Sequence, residues 1–382
     1  MGAQTPELLD MMRQLIGTPS ISCVQPELDM SNEPVIDKLA NWLDSSGFRI
    51  NKQQCAEGKY NLIATLGDGS DGLILSGHTD TVPMDENLWQ SDPFNLTERD
   101  NRLYGLGSCD MKSFLALAIA ASQGFDRGQF QRPLTIIATA DEETTMSGAR
   151  LLAQNGERLG RYCVIGEPTD MRPIREHKGI IMESVHFTGS SGHSSDPSLG
   201  NSALEGMYEF IQRLLAFRDD LQKRYNNPAF KVAIPTLNLG HIHGGDNPNR
   251  ICGECELHFD LRFLPGMELT ELRARIHDMA RELARQRNLQ VDFESLFPGI
   301  PAMATPADSE LTRYLEQATA TKAGSVAFGT EGPYFNALEC ETIILGPGSI
   351  NQAHQPDEFL AMDQIQPTVQ LLQGLIKRFC LQ

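Results

Sequence analysis

The sequence predicts an α/β protein in which a smaller α+β domain is inserted into a larger domain built on a mixed, largely parallel sheet. Three observations support this prediction. The chain has 382 residues, more than the about 100 to 200 residues of one ordinary core. Its first and last parts contain short continuous apolar runs, which are typical of a sheet covered on both faces. In its middle part, apolar and polar residues alternate, which is typical of a sheet exposed on one face.

Four apolar runs predict neighbouring strands of the larger domain. Each run is rich in β-branched residues and is followed by polar side chains. The runs lie at 73–75, 134–138, 163–165 and 342–345. Because ligands of open α/β sheets bind beyond the carboxyl ends of the strands, we expect the polar residues that follow these runs to form the site.

The middle of the chain predicts the element order β-α-β-β-α-β. Alternation predicts half-exposed strands, and apolar residues three or four apart predict helices. The predicted strands lie at 181–187, 237–242, 257–263 and 291–296, and the predicted helices at 204–214 and 269–283. This order is that of the ferredoxin-like split βαβ unit. We therefore place an inserted domain at 179–296 and a discontinuous parent domain at 1–178 and 297–382.

Composition and charge exclude several classes of partner. No apolar run approaches the roughly 20 residues of a membrane-spanning helix, so we expect no membrane partner. The chain has 32 basic and 50 acidic residues and a net charge of -18, which opposes binding to nucleic acid. Residues 1–10 contain no basic region followed by an apolar stretch, so we expect a cytoplasmic protein. The eight cysteines are scattered, and we expect reduced thiols.

Two histidines and several carboxylates follow the predicted strands or lie in glycine-bounded turns, a set that suits Zn²⁺ or a similar divalent ion. They are His78, Asp80, Asp110, Glu142, Glu143, Glu167 and His354. The set is too large for one four-coordinate site, but two ions that share a bridging carboxylate would use it. In extended chain, Asp80 lies on the same side as His78 and can orient its imidazole. Glu142 and Glu143 would point apart, so one can bind a metal while the other acts as general base.

Other signatures in the sequence are incomplete. The segment 105–110 lacks the third glycine of a dinucleotide fingerprint, and neither a Walker A sequence nor a Gly-x-Ser-x-Gly motif occurs. Cys252 and Cys255 form a single CxxC pair, which we interpret as two thiols flanking the start of a strand. His241 and His243 share a face and could bind metal, but we favour a polar role beside a turn because no acidic or cysteine partner has suitable spacing nearby.

Five motifs carry a resemblance to a known family. They are Gly-His-Thr-Asp-Thr-Val-Pro at 77–83, Gly-Ser-Cys-Asp-Met-Lys at 107–112, Ala-Asp-Glu-Glu at 140–143, Gly-Glu-Pro-Thr at 166–169 and Ser-Gly-His-Ser-Ser at 191–195. In this order they resemble the M20 metallopeptidase and deacylase family, from about residue 5 to 380. The resemblance implies a zinc-peptidase-like catalytic domain and an inserted domain that forms a homodimer. It also implies hydrolysis of a small N-acyl amino acid with two divalent ions, Zn²⁺ or Co²⁺.

The resemblance assigns the metal ligands. One ion would be bound by His78 and Glu167, and the other by Glu143 and His354. Asp110 would bridge the two ions.

The resemblance also assigns the catalytic and substrate-binding residues. Glu142 would be the general base, and Asp80 would orient a metal-binding histidine. His193 would reach the active site of the partner subunit and polarise the scissile carbonyl. The residues that would bind substrate are Asn249, Arg262, Gly346 and Gly348.

Two alternatives stay open at this stage. Within the enzyme class, the protein could be a succinyl-diaminopimelate desuccinylase, another N-acyl amino-acid deacylase or a dipeptidase that uses the same metals. It could also be a non-catalytic metal-binding or interaction protein with the same fold. A non-catalytic relative would be expected to lack a ligand or the base, and this sequence lacks none of them. Ser113 and Cys252 stand where relatives commonly have glycine and proline, and we expect these differences to affect substrate preference more than the reaction.

Overall fold

The computed structural model describes residues 5–382, and this part of the chain contains nine α-helices and sixteen β-strands. The helices are α1 (Leu8–Ile16), α2 (Glu33–Ser45), α3 (Lys112–Ser122), α4 (Ser147–Asn155), α5 (Ala203–Arg224), α6 (Leu269–Arg287), α7 (Glu310–Thr319), α8 (Gly332–Ala337) and α9 (Ile365–Cys380). The strands are β1 (Arg49–Ala56), β2 (Lys59–Leu66), β3 (Leu73–His78), β4 (Thr97–Arg99), β5 (Arg102–Tyr104), β6 (Leu134–Thr139), β7 (Tyr162–Pro168), β8 (Ile174–His177), β9 (Gly179–Thr188), β10 (Thr236–Gly244), β11 (Glu254–Phe263), β12 (Gln290–Ile300), β13 (Met303–Ala304), β14 (Gly324–Val326), β15 (Glu341–Gly346) and β16 (Phe359–Ala361). Residues 1–4, which are part of the segment behind the expectation of a cytoplasmic protein, lie outside the described residues.

The chain divides into two compact units, and the first is built on a mixed sheet. Of the described residues, this unit comprises 5–175, Thr305–Gly324 and Glu331–Gln382. Its main sheet has the order β1-β2-β6-β3-β7-β15-β8, and a small sheet has the order β16-β5-β4. The four adjacent strands β6, β3, β7 and β15 run parallel, and they are the four strands that the apolar runs predicted. Antiparallel β1 and β2 lie at one edge.

The parallel strands are apolar throughout because both faces of the sheet are covered. Leu73 and Leu75 of β3 pack into a core that includes α3 and α9. Ile74, between them, packs on the opposite face in a second core with Phe335 of α8. Successive side chains of a strand point to opposite faces, so a strand buried on both sides needs the unbroken apolar run seen in the sequence.

The second unit is an antiparallel sheet with two helices on one face. It comprises Glu176–Ala304 and Ser325–Thr330. The order along the chain is β9-α5-β10-β11-α6-β12, and the order in the sheet is β10-β11-β9-β12. The predicted β-α-β-β-α-β order and the fold class are therefore confirmed. The core of this unit contains the apolar residues of β9 and β11 and the inward faces of α5 and α6.

The remaining predictions concern membrane-spanning helices, the cysteines, and His241 and His243. Among residues 5–382, no helix has the length and apolarity needed to cross a membrane. All eight cysteines are free thiols, and Cys252 and Cys255 are buried beside the start of β11, as predicted. His241 and His243 lie near the end of β10. The turn follows them at Gly245, whose φ of +72° requires the freedom of glycine.

Candidate metal centre

The parallel strands bring three parts of the candidate centre to one edge of the sheet. β3 ends at His78, β7 contains Glu167 near its end, and Glu142 and Glu143 follow β6. β3 lies between β6 and β7, so the histidine is flanked by the two acidic segments. This arrangement is expected because the carboxyl ends of adjacent parallel strands meet at the same edge.

Two groups of ligand atoms share Asp110. One group contains His78, Asp110 and Glu167, the other contains Asp110, Glu143 and His354, and within each group the ligand atoms lie within 4.8 Å of one another. Asp110 Oδ1 is 3.0 Å from His78 Nε2, and Asp110 Oδ2 is 3.8 Å from His354 Nε2. Glu143 Oε2 is 3.0 Å from the same atom of His354. Each oxygen of one carboxylate thus faces a different histidine, which is the arrangement of a bridging ligand.

Burial and mutual repulsion act strongly on these groups. Burial and the charge of Asp110 raise the pKa values of Glu143 and Glu167, and burial and the charge of Glu167 raise the pKa of Glu142. Burial lowers the pKa of His78, but the hydrogen bond with Asp110 and the surrounding carboxylates outweigh it and raise that pKa. Burial would raise the pKa of Asp110, but its contacts with His78 hold it below its ordinary value. Cations among these carboxylates would relieve the repulsion.

The residues present fit a pair of divalent cations. Glu167 Oε1 is a buried carboxylate oxygen with no hydrogen-bond partner in the described part of the chain. A buried polar atom without a partner is costly, and a metal ion would supply the missing interaction. The donor set combines two imidazoles with several carboxylates, which suits Zn²⁺ and similar ions better than Mg²⁺ or Ca²⁺.

Asp80 contacts two segments of the centre. His78 Nδ1 donates to the backbone oxygen of Asp80 at 3.0 Å, whereas the carboxylate Oδ1 is 3.6 Å away. Oδ2 of the same carboxylate accepts the backbone N–H of Glu143 at 3.1 Å. The main chain of Asp80 therefore makes the shorter contact with the imidazole, and its carboxylate positions the neighbouring acidic segment.

Glu142 lies outside the two ligand groups that share Asp110, although it forms a further group of possible ligands with His78 and Glu143. Its ligand atom lies within 4.8 Å of those of His78 and Glu143, and its side chain is half-buried. The extended conformation assumed from the sequence is wrong, because residues 142–145 form a turn after Asp141, which has φ of +57°. Within this turn the two glutamates still contact different partners, since only Glu143 of the two contacts His354.

Glu358 is a buried residue near the centre that was not selected from the sequence. Its Oε1 accepts the backbone N–H groups of Cys109 and Asp110 at 2.7 and 2.9 Å, and its Oε2 accepts that of Gly107 at 3.1 Å. Glu358 thus fixes the segment that carries the shared ligand. Its position four residues after His354 was the one signal in the sequence that could have identified it.

The sequence also provided no indication of two further buried charged residues, Glu331 and Lys112. Glu331 Oε2 accepts the hydroxyl of Thr139 at 2.9 Å. Lys112 Nζ donates to the backbone oxygen of Thr18 at 2.7 Å and to Ser20 Oγ at 3.2 Å, and burial lowers its pKa to about 7. Neither residue follows an apolar run, so the strand pattern gave no signal for them.

The second unit carries three of the residues selected by resemblance. His193 is exposed, and the backbone N–H of Ser194 donates to the backbone oxygen of Asn249 at 3.0 Å. Arg262 Nε donates to both carboxylate oxygens of Asp260, at 2.9 and 3.1 Å. The structure therefore brings the segments of His193 and Asn249 together, and it pairs Arg262 with a carboxylate of its own strand.

Gly346 and Gly348 have structural reasons to be glycine. A Cβ at Gly346 would lie 2.1 Å from the backbone oxygen of Gly166, and Gly348 has φ of +81°. The N–H of Gly346 donates to Thr169 Oγ1 at 3.3 Å, and the N–H of Gly348 donates to Gln364 Oε1. A substrate that used these backbone groups would have to displace the two side chains.

The model of peptidase family M20/M25/M40 matches residues 74–378. The chain belongs to this family. The resemblance seen in the M20 motifs is therefore confirmed. An M20 relative, the acetylornithine deacetylase of Proteus mirabilis (strain HI4320), is 49% identical over 383 residues, covering 100% of this chain and 99% of the relative. The acetylornithine deacetylase of Edwardsiella ictaluri (strain 93-146) is 48% identical over 382 residues, covering 100% of both chains.

Solved structures share the M20 fold at low sequence identity. The aminopeptidase PepT of Bacillus cereus ATCC 10987 has a TM-score of 0.75 and 17% identity, with 97% of each chain covered. The YXEP protein of Bacillus subtilis, described as a dinuclear metal binding peptidase from the M20 family, has a TM-score of 0.65 and 15% identity, also with 97% of each chain covered. These likenesses agree with the fold described above, an α/β unit and an antiparallel unit.

Proposed function

We propose that this M20 hydrolase removes the acetyl group from N2-acetyl-L-ornithine to give L-ornithine and acetate. The observation that carries the reaction class is the pair of ligand groups that share Asp110, with the carboxylate of Glu142 beside them and outside both groups. The substrate is supported by the two relatives at 49% and 48% identity, both acetylornithine deacetylases.

Two divalent ions, Zn²⁺ or Co²⁺, are the cofactors that this proposal requires. The residues that would hold them are His78, Asp110, Glu143, Glu167 and His354, with Asp110 shared. When bound, the ions supply Lewis acidity, which lowers the pKa of a water molecule and polarises the acetyl carbonyl.

Glu142 would move the proton that hydrolysis requires. Its carboxylate accepts a proton from the water that attacks the acetyl carbon, and it then delivers that proton to the nitrogen of the departing amine. One C–O bond forms and the C–N bond breaks, so no redox cofactor or nucleotide is needed. The contact of Asp80 with the N–H of Glu143 holds this segment beside His78.

The roles that the resemblance gives to residues of the second unit and to the glycine loop stay predictions. These residues are His193, Asn249, Arg262, Gly346 and Gly348. Substituting alanine for His193 should lower kcat, whereas alanine at Asn249 or Arg262 should mainly raise KM for the amino acid. The homodimer is tested by light scattering of the purified protein, and the cytoplasmic location by cell fractionation.

The experiment for the proposed function follows amine release from N2-acetyl-L-ornithine by metal-stripped protein, with and without added Zn²⁺ or Co²⁺. N-succinyl-diaminopimelate is assayed in parallel, because a desuccinylase of the same family would use the same metals. Metal-dependent turnover of acetylornithine alone supports the proposal. Turnover of only the succinyl compound would keep the reaction class and overturn the substrate. Metal binding without turnover of any acyl amino acid would favour a non-catalytic protein.

A further inference from the structure

The open face of the sheet in the second unit concentrates histidines and carboxylates that the proposed function does not use. Side chains along a strand alternate between the two faces of its sheet. In β11, Cys255, Leu257 and Phe259 are buried in the core with α5 and α6. Glu256 and His258 alternate with them and are only partly buried, so they lie on the face away from the helices.

The strand register adds further imidazoles to this face. His241 of β10 is paired directly with His258 of β11, and His243 is paired with Glu256. On the other side of β11, Glu256 is paired with His186 of β9. Directly opposite residues on one face have Cβ atoms about 4.5–5.5 Å apart, and which of these side chains converge is decided by their rotamers.

Three of these side chains already approach one another. His258 Nε2 is 2.7 Å from Glu256 Oε1, and the ring centroids of His241 and His258 are 4.7 Å apart. One ligand atom from each of the three residues lies within 4.8 Å of the other two. This cluster is confined to the second unit, whereas every proposed ligand of the candidate metal centre belongs to the first.

We propose that His241, Glu256 and His258 form a third metal site, which binds a first-row transition ion such as Zn²⁺, Ni²⁺ or Cu²⁺. Two atoms bound to one tetrahedral ion, each at about 2.1 Å, lie about 3.4 Å apart. The three ligand atoms already lie within 4.8 Å of one another, and a change of rotamer of the exposed His241 side chain would be needed to reach this spacing. The shorter contact between His258 and Glu256 opens to it when an ion replaces the proton between them.

The surroundings of Glu256 favour a bound cation. Ser184 Oγ donates to Glu256 Oε1 at 2.8 Å, and this serine is buried. His258 Nε2 contacts the same carboxylate oxygen, so Glu256 Oε1 is fixed from two sides. Groups that orient a ligand from behind strengthen metal sites.

The ligand chemistry selects the class of ion. Two imidazoles and one carboxylate suit Zn²⁺, Ni²⁺ and Cu²⁺, whereas Mg²⁺ and Ca²⁺ prefer sites made of oxygen ligands. His241 is exposed, so the ion has access from solvent and its remaining coordination positions are open to water. The site is therefore expected to exchange its ion more readily than the buried centre of the first unit.

The test compares the number of Zn²⁺ ions bound at saturation by the metal-free full-length protein and by His258→Ala, using isothermal titration calorimetry and elemental analysis. The wild-type protein should bind one equivalent more than His258→Ala. This difference does not depend on whether the proposed deacetylase reaction occurs. Ser184→Ala should retain the extra equivalent with an affinity lower by about 10- to 100-fold.

The matched control is His243→Ala, since His243 is an exposed histidine on the same strand and face but outside the cluster. It should bind as many ions as the wild type, and Mg²⁺ should produce no extra equivalent in any variant. Circular dichroism checks folding, and His241→Ala, which changes an exposed side chain, replaces His258→Ala if that variant does not fold. The proposed site would be overturned if the wild type and His258→Ala bound the same number of Zn²⁺ ions, or if His243→Ala bound one ion fewer than the wild type.

Discussion

Glu142 and Glu143 are neighbours in the sequence but contact different partners. Glu143 Oε2 is 3.0 Å from His354 Nε2, within the ligand group that contains Asp110. Glu142 belongs to neither group that shares Asp110 and lies near His78 instead. One glutamate is therefore placed to hold a metal ion, and the other keeps a carboxylate for proton transfer.

We expect Glu142→Gln to lose most turnover while retaining its metal. Glutamine has nearly the same volume but cannot accept and return the proton, and general acid–base catalysis contributes typically about 10²- to 10⁴-fold. The measurement is kcat for acetylornithine together with metal content by elemental analysis. Glu157→Gln, at an exposed position, is the control. Wild-type turnover in Glu142→Gln would contradict the assignment of the base.

Buried His177 makes the folded protein sensitive to acid. Burial lowers the pKa of its imidazole to about 4, from the ordinary 6.5, and Nδ1 donates to the backbone oxygen of Lys178 at 2.9 Å. Between pH 6.5 and 4, the unfolded chain binds a proton at this position that the folded chain does not. The free energy of unfolding therefore falls as the pH drops through this window, by up to about 3 kcal/mol.

We expect His177→Gln to reduce this part of the pH dependence, because glutamine does not titrate. The measurement is the change in the free energy of urea unfolding between pH 7.5 and 5, which removes any constant effect of the substitution. His243→Gln, at an exposed histidine of the same unit, should keep the wild-type change. An unaltered pH dependence in His177→Gln would show that the buried imidazole is not responsible.

A site residue could be predicted from the sequence when it met two conditions. Its side chain had to be of a metal-binding type, and it had to lie at the end of a predicted strand or just after it. His78, Glu143 and Glu167 met both conditions, and the structure brings them to one edge of the sheet. Glu358 is a carboxylate but follows no predicted strand, and Lys112 meets neither condition. Their importance comes from burial and from hydrogen bonds to distant parts of the chain. Such contacts have no local pattern in a sequence.

At the scale of elements, the segment before α3 depends on a carboxylate from far along the chain. This segment carries Asp110 and precedes the helix that begins at Lys112, and three of its N–H groups donate to Glu358. The hydrogen bonds replace those that a regular strand or helix would supply.

We expect Glu358→Ala to destabilise this segment and weaken metal binding. Each buried N–H left without a partner costs about 1–3 kcal/mol, and a displaced Asp110 can no longer serve both ligand groups. The measurements are Tm and the Zn²⁺ affinity of the metal-free protein. Glu358→Gln keeps an acceptor oxygen and should have a smaller effect, and Glu98→Ala, at an exposed position of β4, should have none. Unchanged metal affinity in Glu358→Ala would exclude a positioning role.

Strands were predicted better than the contacts between them. Apolar runs identified β3, β6, β7 and β15, because a strand covered on both faces has one consistent pattern. The neighbours of His241 could not be predicted in this way. Its acidic partner Glu256 lies on the next strand, and only the register of β10 against β11 brings the two together.

At the scale of the whole molecule, the residues with proposed roles are distributed over both units. The first contains all proposed ligands of the candidate metal centre and the base, and the second contains His193, Asn249, Arg262 and the proposed third metal site. The inserted unit has its own core, formed by α5, α6 and the antiparallel sheet. Its core is therefore expected not to depend on the ions of the first unit.

We expect removal of metal to loosen the strand ends of the first unit and to leave α6 of the second unit unchanged. Without cations, the buried carboxylates of Asp110, Glu143 and Glu167 repel one another. An ion present at 100 times its Kd stabilises the folded state by about 2.7 kcal/mol. Its removal should therefore increase the population of locally open states by about 100-fold. The measurement is hydrogen exchange by mass spectrometry with chelator, followed by readdition of Zn²⁺. Peptides covering 139–143 and 163–168 should exchange faster and recover, whereas peptides from 269–287 serve as the internal control. Equal acceleration in both units would instead mean that the metal centre stabilises the chain as one cooperative body.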